Sequence, residues 1–296
     1  MKICSFITLY KPDLLKLEKN INEISKYAER IYLLDNTPLK DNICIPVYQK
    51  CVVIKNNKNI GLSSAFNIAL NVARNEGFEY TILFDQDSYL RKESFDILEA
   101  EYLKYSKDYN LMCVGPSLNI YGNAVITPNW SLNKLPHDVE GIDSVLNIIT
   151  SGMFLNINKA LAIGGFNEDY PVDFCDFFFC WKAIYNGYIV LKSRNAFLYH
   201  EIGNSQMKIG KSTIHFHSPY RNYFLVRDTL NICFKEKETP FYIRLRYFIF
   251  LLPRMVLFIL RCDKKKERIK MYLLGLKDFI KNQRGYGSIA ELLGAK

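Results

Sequence analysis

The chain has 296 residues, 49% hydrophobic and 23% charged, a balance that excludes disordered, collagen-like and low-complexity classes and leaves ample length for a core. Its formal charge of +9 belongs wholly to residues 235–296, because the first 234 residues balance to zero. A neutral body with a basic, aromatic-rich tail argues against a nucleic-acid partner and for a tail that meets an anionic surface. The eight cysteines include no Cys-x-x-Cys pair, and the opening apolar run is too short for a secretory leader. Reduced thiols in a cytoplasmic chain are the expectation.

In chain order, residues 3–9 predict a buried strand, and Pro12-Asp13 then opens a helix with Leu14, Leu17, Ile21 and Ile24 on one face. Residues 31–34 form a second strand ending in the turn Asp35-Asn36-Thr37-Pro38, and residues 51–54 a third. After Asn59-Ile60-Gly61 a helix is expected over 63–74, with Ser63 as its N-cap. A fourth strand, 80–84, runs directly into Asp85-Gln86-Asp87-Ser88. This βαββαβ order implies a mostly parallel, doubly wound sheet with right-handed crossovers. Ligands of such sheets sit beyond the carboxyl ends of the strands, where Thr8, Asp35, Asn36, Asp85 and Asp87 all fall.

Residues 116–218 are less regular. They hold Thr150-Ser151-Gly152, Gly164-Gly165-Phe166, an acidic and aromatic block from Tyr170 to Trp181, and a strand over 190–199 ending at His200. From Pro219 the pattern turns helical. With no internal repeat and no long linker, the reading is one domain over 1–234 followed by a basic amphipathic helical region over 235–296.

Residues 241–260 are very apolar but carry Arg244, Arg246, Arg254 and Pro253, so no uncharged run approaches the ~20 residues of a spanning helix. A helix lying in the membrane interface fits better, with Arg261, Lys264, Lys265, Lys266, Arg268 and Lys270 facing anionic lipids at roughly 1 kcal/mol each. The region expected to meet the membrane is 241–284. The other reading packs this segment on the body or on another subunit of a homo-oligomer.

Asp85-Gln86-Asp87 at a strand terminus can turn two carboxylates toward one hard cation, Mn²⁺ or Mg²⁺, together with the phosphates of a nucleotide. A solvated turn is the bland alternative. Gly61-Leu62-Ser63-Ser64-Ala65 lacks the Gly-x-Gly-x-x-Gly spacing and no P-loop lysine follows, which argues against dinucleotide oxidoreductases and ATPases. His215-Phe216-His217 has metal-like spacing but does not call for a second metal site, and Pro219 after it reads as a helix entry.

Taken together, Thr8-Leu9-Tyr10-Lys11-Pro12, Leu34-Asp35-Asn36, Asn59-Ile60-Gly61 with Asn67, and Leu83-Phe84-Asp85-Gln86-Asp87-Ser88 resemble glycosyltransferase family 2, most of all its bacterial rhamnosyltransferase branch. The resemblance continues through Thr150-Ser151-Gly152, the block from Gly165-Phe166 to Lys182, Tyr199-His200-Glu201-Ile202-Gly203, and His217-Ser218-Pro219-Tyr220-Arg221-Asn222-Tyr223, covering about residues 3–230. It implies an α/β GT-A fold and an inverting, metal-assisted transfer from a nucleotide sugar, with Mn²⁺ or Mg²⁺ offsetting charge on the leaving diphosphate.

By the same resemblance, Thr8, Tyr10, Asp35 and Asn36 line the base and ribose pocket, and Asn59 and Gly61 shape the loop beside it. Gln86 and Arg221 join the donor site. Asp85 contacts ribose or the metal shell, Asp87 ligates the cation, and His200 completes the site. Inversion needs a general base, for which Asp176 and Asp173 are the candidates, Asp176 matching the family's base. Here the sequence departs from the family, with Phe178 where a Glu is expected and Phe179 where a Trp is. The surrounding phenylalanines are expected to raise the Asp176 pKa by desolvation. A plain reading makes the Phe run the start of a core helix capped by Asp173.

The implied donor is dTDP-L-rhamnose and the acceptor a lipid-linked saccharide in bacterial surface-polysaccharide synthesis, at the inner face of the membrane. The alternatives are transfer of galactofuranose or galactose from a UDP-sugar, or a non-catalytic saccharide- or membrane-binding subunit.

Overall fold

A computed structural model describes residues 2–41, 43–120, 123–125, 141–200, 206–209, 212–215 and 218–295. The first half runs β1 (Ile3–Leu9), α1 (Leu14–Ile24), β2 (Arg30–Asp35), β3 (Cys51–Lys55), α2 (Leu62–Asn75) and β4 (Tyr80–Asp85). Next come β5 (Ser88–Leu90), α3 (Lys92–Tyr105), β6 (Leu111–Ile120), β7 (Asn123–Val125), β8 (Ile142–Ser144), β9 (Phe154–Asn156), α4 (Ile157–Ala162) and α5 (Cys175–Tyr185). The chain ends with β10 (Ile189–His200), β11 (Gln206–Ile209), β12 (Ser212–His215), α6 (Tyr220–Phe234), α7 (Phe241–Arg261) and α8 (Lys265–Ile280).

The central sheet has the order β3-β2-β1-β4-β9-β6-β10-β5, while β11 and β12 form a separate hairpin. Strands β1 to β4 are mutually parallel, as is the β6–β10 pair; β9 and β5 run against their neighbours. The sheet is therefore mixed, with a parallel half that carries the expected ligand-binding ends. Register brings Leu9 beside Asp35 and Thr8 beside Asp85, so the two acidic strand ends flank β1. Apolar clusters cover both faces. Phe66, Leu70, Phe166 and Phe179 lie on one, beneath α2, α4 and α5; Leu17, Ile21, Phe95 and Leu98 of α1 and α3 lie on the other.

Local chemistry explains most element boundaries. Asp13 caps α1, its carboxylate accepting from Leu15 and Lys16 N–H groups. Ser63 does not cap α2 as expected: Gly61 is the N-cap, and the Ser63 hydroxyl donates to the Tyr170 carbonyl at 2.8 Å. Gly61 holds φ +87°, and a Cβ there would stand 2.5 Å from Pro171 Cβ, so both conformation and space demand glycine. Strands β6 and β9 carry no clear sequence signal, because Gly115-Pro116 interrupts one and the other is three residues long.

The C-terminal helices pack on the body through α6. A Cβ on Gly275 of α8 would stand 2.5 Å from the Tyr223 carbonyl of α6, so the two backbones meet at a distance only glycine allows. Arg268 does not face solvent; it is 3% exposed and donates to Asn222 and to Asp263, a correction to its expected lipid-facing role. Arg227 of α6 is fully buried. Its guanidinium donates to Asp228, the Tyr223 hydroxyl and the carbonyls of Gly285 and Asp169. Tyr223 in turn donates to Asp278, which also accepts from Ser288.

One side of α7 is buried through Ile243, Leu251 and Phe258. Its other side leaves Leu245, Phe248, Ile249, Leu252, Val256 and Leu260 exposed, and α8 adds Ile269, Leu273, Leu276 and Ile280. Among the described residues no helix is long and apolar enough to cross a membrane.

Candidate active site

The carboxyl ends of β1 and β4 open into a cleft of about 410 Å³ lined by Thr8, Tyr10, Asn36, Asn59, Gly61, Asp85, Gln86 and Asp87. These eight were all singled out in the sequence, from four separate segments. Their hydrogen bonds show how the backbone holds the cleft open. Gln86 Oε1 accepts from the Tyr10 N–H at 2.9 Å, which ties the β1 loop to the acidic turn. Asn36 donates to the Gly61 carbonyl and accepts from Asn56, fixing the loop that precedes α2. Asp85 accepts from the Ser151 hydroxyl at 2.8 Å, and its own N–H donates back to Ser151 Oγ at 2.9 Å. Ser151 therefore orients the first carboxylate.

Asp35 lies beneath this cleft rather than on its wall. It is 3% exposed, and its carboxylate accepts from the Thr37 N–H to close the turn after β2. Asn67 is architectural too: it accepts from Phe166 N–H and donates to the Phe166 carbonyl, clamping α2 to the Gly165 loop. His200 stands opposite Ser88 in the β5–β10 register, one residue past Asp87. Its side chain lies outside the described residues, as do Glu201, Ile202 and Gly203.

Sequence reasoning missed part of the cleft. Tyr220, Tyr286 and Leu293 also line it, the last two from a segment beyond α8. Asn59 anchors that segment: its amide donates to the Leu293 carbonyl, its N–H to the Gly294 carbonyl, and its Oδ1 accepts from the Tyr286 hydroxyl at 2.6 Å. No spacing or motif marks Tyr286; only the folded chain brings it to the cleft.

A second cavity, about 280 Å³, adjoins the first across Val172 and is lined by Asp173, Asp176, Phe177, Arg221, Asn222, Tyr247 and Arg254. Arg221 thus lies with the candidate bases rather than in the first cleft, paired with Asp173. Asp173 does not cap α5. The N-cap is Phe174, held at φ +63° with no side-chain cap bond. A left-handed phenylalanine at a helix start is a strained conformation of order 1–3 kcal/mol, and Asp173 and Asp176 on either side of it both line one cavity. Burial pushes the Asp176 pKa up to about 7, with the Asp85 and Asp173 charges adding to the effect. Phe178 is buried against Tyr170 at a ring separation of 5.0 Å, outside the walls of both cavities.

A parallel half-sheet ending in an Asp-Gln-Asp turn beneath an open cleft is an arrangement of the GT-A fold, and the likeness to solved structures gives the chain that fold. Its curated relatives include the dTDP-rhamnosyl transferase RfbF of Shigella flexneri, 27% identical over 296 residues that cover 96% of this chain and 97% of that protein. No family model matches. Among solved structures, S. aureus TarS 1–349 in complex with UDP-GlcNAc aligns over 95% of this chain and 81% of its own, with TM-score 0.59 and 15% identity. A longer TarS structure gives TM-score 0.58 at 16% identity over 95% of this chain, which spans about half of it, 49%. GalNAc-T7 with UDP, GalNAc and Mn²⁺ aligns over 87% of this chain and 57% of its own, with TM-score 0.55 and 13% identity. These structures speak for the fold.

Proposed function

We propose that the chain transfers L-rhamnose from dTDP-L-rhamnose, with inversion, to a lipid-linked saccharide of a bacterial surface polysaccharide. The observation that carries this reading is the cleft that joins aromatic walls, Tyr10, Tyr220 and Tyr286, to the Asp85-Gln86-Asp87 turn. The near full-length likeness to a dTDP-rhamnosyl transferase supports the choice of donor. In this scheme the base and ribose lie among the tyrosines, Thr8 and Asn59, and the diphosphate points to the acidic turn.

The donor set suits a divalent cation. Asp85 and Asp87 present hard carboxylate oxygens at one strand end, and Mn²⁺ or Mg²⁺ takes few protein oxygens when phosphate oxygens complete its shell. Among the described residues no group of three His, Cys, Asp or Glu side chains is placed to hold a metal ion; Asp87 and Asp85, with His200 as the resemblance implies, would hold it together with the donor's oxygens. A cation held there would neutralise charge on the leaving diphosphate. Asp176 is the base: it takes the proton of the acceptor hydroxyl as that oxygen bonds the anomeric carbon and the nucleoside diphosphate departs with the electron pair. A pKa near 7 is close to the optimum for such a base.

The exposed apolar face of α7, with Arg261, Lys264, Lys265, Lys266 and Lys270 beyond it, supports peripheral attachment to an anionic membrane surface. The test of the main reading is thermal shift with dTDP-L-rhamnose, UDP-galactose and UDP-galactofuranose, each with and without Mn²⁺. Stabilisation by the dTDP-sugar, dependent on Mn²⁺ and lost in Asp87→Ala, is expected. A larger shift with a UDP-sugar would reassign the donor. Binding without release of nucleoside diphosphate would favour a non-catalytic saccharide-binding subunit.

A further inference from the structure

The cavity at Asp176 does not end there. It continues beneath α7 into a hollow of about 390 Å³, with which it shares Phe177, Leu225, Tyr247 and Arg254. The two hollows share that wall. The inner wall is aromatic: Trp181 stands 6.0 Å from Tyr247 at 63° and 6.3 Å from Phe177 at 54°. Such faces suit the C–H side of a sugar ring, which is apolar although its rim is hydroxylated.

Two polar groups in that wall are orphaned. Trp181 Nε1 and Thr229 Oγ1, each in a side chain 1% exposed, find no hydrogen-bond partner among the described residues. An unsatisfied buried polar group destabilises the fold, and a hydroxylated occupant would relieve that cost. Two cations, Arg246 and Arg254, line the same hollow from α7, the helix whose opposite face is exposed and apolar. Aromatic wall, orphaned polar groups and paired guanidiniums together specify one kind of occupant.

We propose that this hollow is the acceptor subsite: a sugar ring packs on Trp181 and Tyr247, hydroxyls meet Trp181 Nε1 and Thr229 Oγ1, and the phosphate joined to that sugar is held by Arg246 and Arg254. The inference rests on the transferase reading and adds a second site to it. The acceptor hydroxyl then projects toward Asp176 in the adjoining cavity. The apolar face of α7 places a lipid carrier, rather than a free sugar phosphate, on the far side of that phosphate.

Transfer of labelled rhamnose from dTDP-L-rhamnose is measured into two acceptor pools from cells that make the protein: the extracted lipid-linked saccharides and the water-soluble sugar phosphates. Thr229→Val and Arg254→Gln should raise the acceptor KM about tenfold or more while dTDP affinity stays within about twofold. Trp181→Phe should act in the same direction; because it sits in an apolar cluster, the isosteric Thr229 variant and the Arg254 variant carry the test if it misfolds. Label in the lipid pool is expected. Label confined to the soluble pool, with the same variant effects, keeps the subsite and makes its ligand a free sugar phosphate. Folded Thr229 and Arg254 variants with wild-type acceptor KM overturn the subsite, as does a chain that binds dTDP yet labels neither pool. A chain that binds no nucleotide overturns the transferase reading itself.

Discussion

In the proposed transfer Asp176 is the base, and its surroundings fix how it must behave with pH. Its pKa of about 7 against an ordinary 3.8 means the folded chain keeps a proton that the unfolded chain has released. Activity should therefore fall about tenfold per pH unit below the folded value, a limb measurable in kcat. Stability has the opposite slope. Between the two pKa values the native state binds more protons, so this group's contribution declines as pH rises from about 4 to 7. Asp176→Asn should abolish transfer, retain dTDP binding, and melt higher than the wild type at pH 8, with the difference vanishing toward pH 4. A variant that retains turnover would move the base to Asp173, whose pairing with Arg221 makes it the weaker candidate. Phe178, which stands where the resemblance leads one to expect an acid, does not line this cavity and is buried in the core instead.

At the scale of elements, the junction of α6 and α8 is the one most sensitive to a small change. Gly275→Ala would drive a methyl group to 2.5 Å from a backbone carbonyl that has nowhere to go. Overpacking of this kind typically costs about 1–3 kcal/mol, and here a lower denaturant midpoint should come with weaker dTDP binding. The link to binding is Tyr286, carried to the cleft by the segment after α8 and bonded to Asn59. Unchanged nucleotide affinity in a destabilised Gly275→Ala chain would separate the two. What the sequence disclosed follows the same division. The parallel β1–β4 half and its polar strand ends were legible, because alternation of apolar runs with turn residues is a local signal. Ser63 does not cap α2 as expected, and the plain alternative of Asp173 as a cap fails as well, since a side chain that can cap a helix can equally bond a distant carbonyl or an arginine. Tyr286, Thr229 and Trp181 carry no local signal at all; their roles arise from packing between segments distant in sequence.

In the proposed scheme the whole molecule sets three surfaces in order: the cleft over the sheet for the donor, the cavity at Asp176 with its neighbouring hollow for the acceptor, and the apolar and basic face of α7 and α8 for the membrane. That order suits an enzyme that draws one substrate from water and the other from a bilayer. Flotation with vesicles rich in phosphatidylglycerol tests the outermost surface. Phe248→Glu with Leu252→Glu, both on the exposed side of α7, should cut vesicle binding about tenfold or more without changing dTDP affinity. Equal flotation of the double variant would leave α7 facing another protein surface.

Asn59, on the loop before α2 that lines the proposed donor cleft, holds three atoms of the C-terminal strap, while Arg227 bolts the same strap to α6. Thermodynamic reciprocity makes the attachment two-way: whatever factor a seated strap adds to donor affinity, a bound donor must add to the seating of the strap. With the donor in the proposed cleft, its occupancy is thus written into the docking of that strap, and a protease that nicks residues 281–295 would read it as a ligand-dependent lag.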